Sequence, residues 1–161
     1  IRRPDLVRSL VNSGAWAKVD RYFQKQMEIW LDIHRLQGFA AFQQNVVLEG
    51  FEAEFVNARW DRLMSPEGPW SELNGNLIAQ ERFTAAAIGH DTLDRLTAIK
   101  APTMIIHTGR DQMTGPRFSD VLEAGIPQAV GVRFDDAPHV ITNRDDRARF
   151  ARSIVEFVAK Y

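Results

Sequence analysis

The 161-residue sequence contains no cysteine. Disulfides, thiolate nucleophiles and cysteine-ligated metals are thereby excluded, whereas the compartment is left open. No apolar run approaches the roughly 20 residues needed to span a bilayer, so no membrane partner is expected and the expected location is cytoplasmic. An excess of either charge is also missing. The sequence has 20 Lys and Arg against 21 Asp and Glu, for a formal net charge of −1. The basic residues are scattered among acids and form no stripe, so nucleic acid is not an expected partner either. Internal repeats and low-complexity tracts are absent. What remains, 45% hydrophobic and 25% charged residues, is the composition of an ordinary globular domain. The sequence starts at Ile1 rather than Met, and the native N-terminus is expected to lie upstream.

The most informative stretch is Thr103 to Pro116, which combines a short apolar run, a glycine and an acid. Met104, Ile105 and Ile106 have the continuous apolar character of a strand buried on both faces of a parallel sheet. Pro102 precedes the run, where it costs no ladder hydrogen bond. Gly109 ends it and puts Asp111 on a loop at the strand's C-terminal edge, where open α/β sheets place their ligands and reactive groups. A second strand-like segment, 130–134, leads into a loop ending at His139, 28 residues after Asp111 (139 − 111). A helix over about 116–124 separates the two. Right-handed crossovers bring both loops to one sheet edge. There a carboxylate bonded to an imidazole would fix the ring's tautomer and stabilise its protonated form, which is two thirds of a nucleophilic triad.

The ordered set Ile99, Ala101-Pro102-Thr103, Gly109, Asp111, Ile126-Pro127 and His139 resembles the C-terminal half of an α/β-hydrolase. The resemblance implies an α/β fold class, the C-terminal part of an α/β-hydrolase sheet with an inserted all-helical cap domain. It implies Asp111 as the triad acid and His139 as the general base, in the family's order of nucleophile, acid and histidine. The position before the histidine, usually glycine in this family, is Pro138, which lacks an N–H and fixes its own φ. Pro4-Asp5 followed by Val7 to Val11 resembles the turn and strand that come after the family's nucleophile helix. A Gly-x-Ser-x-Gly elbow is therefore expected upstream of Ile1, and the sequence contains none. Acid and base are present; nucleophile and oxyanion hole are expected from the N-terminal part of the same hydrolase, as a missing segment or a partner chain. The strand candidates number about three (7–11, 103–107 and 130–134), too few to cover their own open edge or complete a two-layer core, which points to the same incompleteness.

The expected organisation is a core strand segment over 1–14, a helical cap domain over 15–99 and a core segment with acid and histidine over 100–161. In the middle region Val19, Phe23, Met27, Trp30 and Ile33 predict a helix over about 17–36, ended by Gly38. Phe39, Phe42 and Val46 predict a second helix, and Phe51, Phe55 and Ala58 a third. Ser65 to Pro69 is a break, Asn74-Gly75 weakens the pattern after it, and a fourth helix is expected over 79–88. Asp91 is a candidate cap for a short helix carrying Leu93 and Leu96. The final helix starts at Asn143, with Asp145 and Asp146 suited to its positive end and an apolar stripe of Phe150, Ile154, Phe157 and Tyr161.

His107 reads as a satisfied core histidine. His34 and His90 have no second ligand at metal spacing, so neither a metal nor a cofactor is expected. Pockets are lined mainly by apolar side chains, and by position Trp16, Met113 and Val140 are the candidates for contacting a small-molecule substrate. The activity the resemblance implies is acyl transfer from an ester or lactone to water. A carbon–carbon bond hydrolase of the same fold and a non-catalytic hydrolase-like ligand receptor are the alternatives.

Overall fold

The computed structural model describes residues 1–161 except Arg2 and Asn74; the expected irregularity at Asn74 thus lies outside the described residues. In chain order the elements are β1 (Leu10–Ser13), α1 (Arg21–Gln37), α2 (Phe39–Gly50), α3 (Ala53–Asn57), α4 (Trp60–Leu63), α5 (Leu77–Ile88), β2 (Thr103–Thr108), α6 (Pro116–Gly125), β3 (Val130–Phe134) and α7 (Arg144–Val158). Short 3-10 turns occupy Pro4–Leu6 and Leu93–Ala98. The chain divides into two compact units, one formed by Ile1–Lys18 with Asp91–Tyr161 and the other by Val19–His90.

The first unit is built on a parallel sheet in the order β1-β2-β3. Leu10 is registered with Thr103 and Ser13 with Ile106, while Met104 is registered with Val130 and Thr108 with Phe134. All six residues of β2 are buried, as expected of a central strand flanked by helices. Its alternation sorts them between two cores. Ile105 packs with Ala17, Leu96, Leu122 and Ile126, whereas Met104 and Ile106 pack with Phe134, Ala137 and Phe157. Phe150 and Ile154 of α7 join the second core. The side chain of Asn143 caps α7, accepting from the N–H groups of Asp145 and Asp146. β1 begins three residues later than its apolar run predicts: Pro4–Leu6 forms a 3-10 turn closed by Val7 N–H donating to Pro4. The N–H of Leu10 then donates to the carbonyl of Pro102 at 2.8 Å, which sets the register.

The second unit is helical. Asp20 caps α1 by accepting from the N–H of Phe23, so the helix starts at Arg21. Its buried stripe is Phe23, Met27, Leu31 and His34, rotated from the predicted one, with Trp30 and Ile33 only half-buried. Asn76 caps α5 by accepting from Ala79 N–H, moving its start to Leu77. The predicted third helix starts only at Ala53, because Phe51 ends α2 with an extended backbone, and a separate short helix follows because Arg59 leaves helical geometry at φ −134°, ψ 26°. The Phe51 and Phe55 rings nevertheless stack at 5.4 Å beside a small core of Val47, Val56 and Leu63. Several polar groups inside this unit are paired, although Gln26 Oε1 and Gln43 Oε1 are buried without a hydrogen-bond partner among the described residues. The carboxylate of Glu49 accepts from Gln26 at 2.6 Å, Asn45 at 2.8 Å and Trp30 Nε1 at 3.0 Å, and His34 pairs with Gln80.

Candidate functional site

Asp111 and His139 stand on the loops that follow β2 and β3, at the C-terminal edge of the parallel sheet. The two loops are stitched together by backbone bonds. Gly109 N–H donates to Phe134 and Arg110 N–H to Ala137, both at 2.9 Å. Position 109 has to be glycine for this approach, since a Cβ there would lie 2.1 Å from the carbonyl oxygen of Asp135. His139 Nδ1 consequently lies 2.9 Å from Asp111 Oδ2, with Pro138 buried immediately before it.

The carboxylate is enclosed by donors. Oδ1 accepts from the backbone N–H groups of Met113 at 2.8 Å and Thr114 at 2.9 Å. Oδ2 accepts from His139, from Thr114 Oγ1 at 3.1 Å and from Thr108 Oγ1 at 3.2 Å. The Asp111 side chain is 0% exposed and that of His139 is 30% exposed. Burial pushes the Asp111 carboxyl up, but the hydrogen bond and charge of His139 and the N–H groups of Thr114 and Met113 outweigh it and hold the carboxyl below its usual range. An ionised carboxylate only accepts, so Nδ1 is the nitrogen that carries a proton. Nε2 has no hydrogen-bond partner among the described residues.

The back of the imidazole rests against the end of β1. Gly14 adopts φ +61°, and a Cβ there would come within 3.1 Å of His139 Cε1 and 3.2 Å of Thr114 Oγ1. Beside the ring a cleft of about 420 Å³ is lined by Ser13, His139, Val140, Ile141, Arg147, Phe150 and Ala151. Of the three residues expected to meet a substrate, Val140 lines this cleft. Met113 is buried and serves the acid loop through its backbone: its N–H donates to Asp111, and its carbonyl accepts from Arg117. Trp16 is half-buried on the segment after β1.

Thr108, Thr114 and Gly14 carry no function in the sequence reading. One signal was available for Thr114: an Asp side chain readily takes the N–H groups two and three residues on, which ties Asp111 to Met113 and Thr114. The hydroxyls of Thr108 and Thr114 reach Asp111 within three residues, whereas the approach of Thr114 and Gly14 to His139 exists only once the separate segments have met.

A second histidine cluster lies on the α6 side of the sheet, where the alternation of β2 sends His107. Its Nδ1 is 2.8 Å from Ser119 Oγ and 3.2 Å from Asp120, and its Nε2 is 2.8 Å from Glu123. These three titratable groups bring ligand-type atoms within 4.8 Å of one another. The guanidinium of Arg133 already stands among them, 3.0 Å from His107 Nδ1, 2.7 Å from Glu123 and 3.5 Å from Asp120. The acids are balanced by the half-exposed Arg133, and His107 is a buried core histidine beside that ion pair.

No family model matches the chain. It is 26% identical over 160 residues to a curated protein from Rhizobium rhizogenes named as a carbamate hydrolase, RutD, with 98% of this chain and 60% of that protein covered. Among solved structures it is similar to MGS-M2, an α/β-hydrolase enzyme from a Medee basin deep-sea metagenome library, with a TM-score of 0.82 and 19% identity, over 97% of this chain and 57% of that one. It is likewise similar to the enol-lactonase of Burkholderia xenovorans LB400, with a TM-score of 0.81 and 18% identity, over 98% of this chain and 58% of that one. The fold is therefore that of an α/β-hydrolase, and the chain corresponds to a C-terminal portion of it. It spans less than two thirds of the proteins it matches.

Proposed function

We propose that this chain supplies the acid and the base of a hydrolase that acts on an ester, a lactone or a related carbonyl substrate. The single observation that carries this reading is the bond from His139 Nδ1 to a buried, donor-enclosed Asp111. Such a carboxylate holds the ring in one tautomer and stabilises the imidazolium formed when Nε2 takes a proton. The names of the similar proteins support the substrate class: a lactone and a carbamate both present an acyl carbon bonded to a heteroatom leaving group.

In the reaction, a nucleophile from the N-terminal part of the same hydrolase, most simply a serine hydroxyl, attacks the carbonyl carbon as His139 Nε2 accepts its proton. The tetrahedral intermediate collapses with cleavage of the bond to the leaving oxygen, which receives that proton. Water then repeats the sequence on the acyl-enzyme, releasing the acid and restoring the nucleophile. Asp111 stays ionised throughout. Val140 and the cleft beside His139 are where substrate contact is expected, with Trp16 and Met113 as further candidates.

The test is reassembly of this chain with an N-terminal portion carrying a Gly-x-Ser-x-Gly segment, followed by turnover of a p-nitrophenyl ester and a small lactone. Asp111→Asn and His139→Ala are each expected to lower kcat by about 10³ to 10⁴-fold. Turnover that survives both substitutions would overturn the assignment.

A further inference from the structure

We infer that Thr114 is a positioning residue for His139: its hydroxyl holds the imidazole in plane with the Asp111 carboxylate. The inference rests on the Asp111–His139 reading above and assigns a role to a residue outside that pair.

Three contacts of Thr114 support it. Its N–H donates to Asp111 Oδ1 at 2.9 Å, its Oγ1 lies 3.1 Å from Asp111 Oδ2, and the same Oγ1 lies 3.3 Å from His139 Nδ1. The proton bookkeeping admits one arrangement. Oδ2 can only accept, so the hydroxyl proton points to it, and Nδ1 bears its own proton toward the same oxygen. The lone pairs of Oγ1 are then left as a second, weaker acceptor for Nδ1–H. The N–H is thus shared between Oδ2 at 2.9 Å and Oγ1 at 3.3 Å. A ring held by a single bond can pivot about it, whereas a ring whose N–H meets two fixed acceptors resists that pivot. Thr114 is buried and fixed at both its N–H and its hydroxyl, so the second acceptor does not move away. Gly14 leaves room for this arrangement, because a Cβ there would press on both Oγ1 and the ring.

Thr108 provides an internal control. Its hydroxyl also donates to Asp111 Oδ2, at 3.2 Å, but it makes no hydrogen bond to His139 among the described residues. Loss of either hydroxyl removes one donor from the carboxylate; loss of Thr114 alone also removes the second acceptor from the ring.

The experiment is NMR of the chain labelled with ¹⁵N at histidine and reassembled with the N-terminal portion used above, read for the tautomer of His139. Thr114→Val is expected to lower the fraction of the Nδ1-protonated tautomer, Thr114→Ser to restore it, and Thr108→Val to leave it at the parent value. Should the valine variant fail to fold, Thr114→Ala carries the same expectation with less bulk. In the reassembled enzyme the loss of one neutral hydrogen bond corresponds to a fall in kcat of about 5-fold with KM unchanged. An unchanged tautomer in both Thr114→Val and Thr114→Ala, or an equal change in Thr108→Val, would overturn the inference. Asp111→Asn separates it from the reading beneath. If that substitution leaves the His139 signals unmoved, the acid–base pair itself is wrong; if it moves them and Thr114→Val does not, only the role of Thr114 fails.

Discussion

Two histidines of the same unit lie 2.8 to 2.9 Å from carboxylates, and they are built in opposite senses. At His139 the acid is buried, with 0% of the Asp111 side chain exposed, and the ring is partly open at 30%. At His107 the ring is buried, at 3%, and the acids are open, Glu123 at 28% and Asp120 at 59%. Asp111 receives its donors from the main chain, two hydroxyls and the ring, and no Lys or Arg among the described residues pairs with it. The acids around His107 are met by the Arg133 guanidinium. The first arrangement keeps one carboxylate charged and leaves His139 Nε2 without a partner among the described residues. The second buries the ring, with Nδ1 bonded to Ser119 and Arg133 and Nε2 close to Glu123 but not hydrogen-bonded to it. A histidine close to a carboxylate is thus not evidence of chemistry; what distinguishes the two is which partner is withheld from water.

Several substitutions would break or sharpen this contrast. Asp111→Ala should have the largest effect on stability. It leaves two N–H groups and two hydroxyls buried without their acceptor and should cost about 3 kcal/mol, measured by chemical denaturation near neutral pH. The same carboxyl gives the contrast a pH signature. Its folded-state pKa is depressed, so its contribution is fully present above the unfolded carboxylate range near about pH 4. That contribution is lost as pH falls through the lower, folded value. Denaturation midpoints measured from pH 6 downward should therefore drop more steeply in the parent chain than in Asp111→Asn, and parallel curves would contradict the assigned shift.

Gly14→Ala should come next. A non-glycine residue at φ +61° costs about 1 to 2 kcal/mol, and its methyl group would also press on His139, moving the ring's NMR signals while those of His107 stay in place. The smallest effect is expected at Arg133→Met. Arg133 is half-exposed, and pairs of this kind contribute under about 1 kcal/mol. Neither the His139 tautomer nor ester turnover in the reassembled enzyme should change. A large loss of turnover there would show that the two clusters communicate.

The sheet was legible where turn residues punctuate apolar runs. Pro102 and Gly109 bracket β2, the segment 130–134 matches β3 residue for residue, and Pro116 opens α6 at the predicted place. β1 was less legible because two of its four residues, Asn12 and Ser13, are polar and the apolar run lies ahead of them. The helical unit showed its helices but only part of their buried faces: Phe23 and Met27 were legible, whereas the burial of His34 depends on its partner Gln80, 46 residues away, a tertiary contact that the local stripe does not show. At the candidate site the acid and the histidine stood out by order and spacing, whereas the hydroxyls and the glycine around them did not. The approach of Thr114 and Gly14 to His139 is a distance between segments far apart in sequence.

One further consequence attaches to how the helical unit leaves and rejoins the sheet unit. Lys18 and Asp91 form an antiparallel bridge and an ion pair at 2.7 Å, and Thr92 N–H donates to Ala17 at 2.9 Å. The chain therefore returns to the spot it departed from, while every contact of the Asp111–His139 pair described above comes from Gly14, Thr108, Met113 and Thr114. Everything between Val19 and His90 hangs from a closed clasp. Such a segment is an exchangeable part: its length can change without touching any of the residues named above as partners of Asp111 and His139.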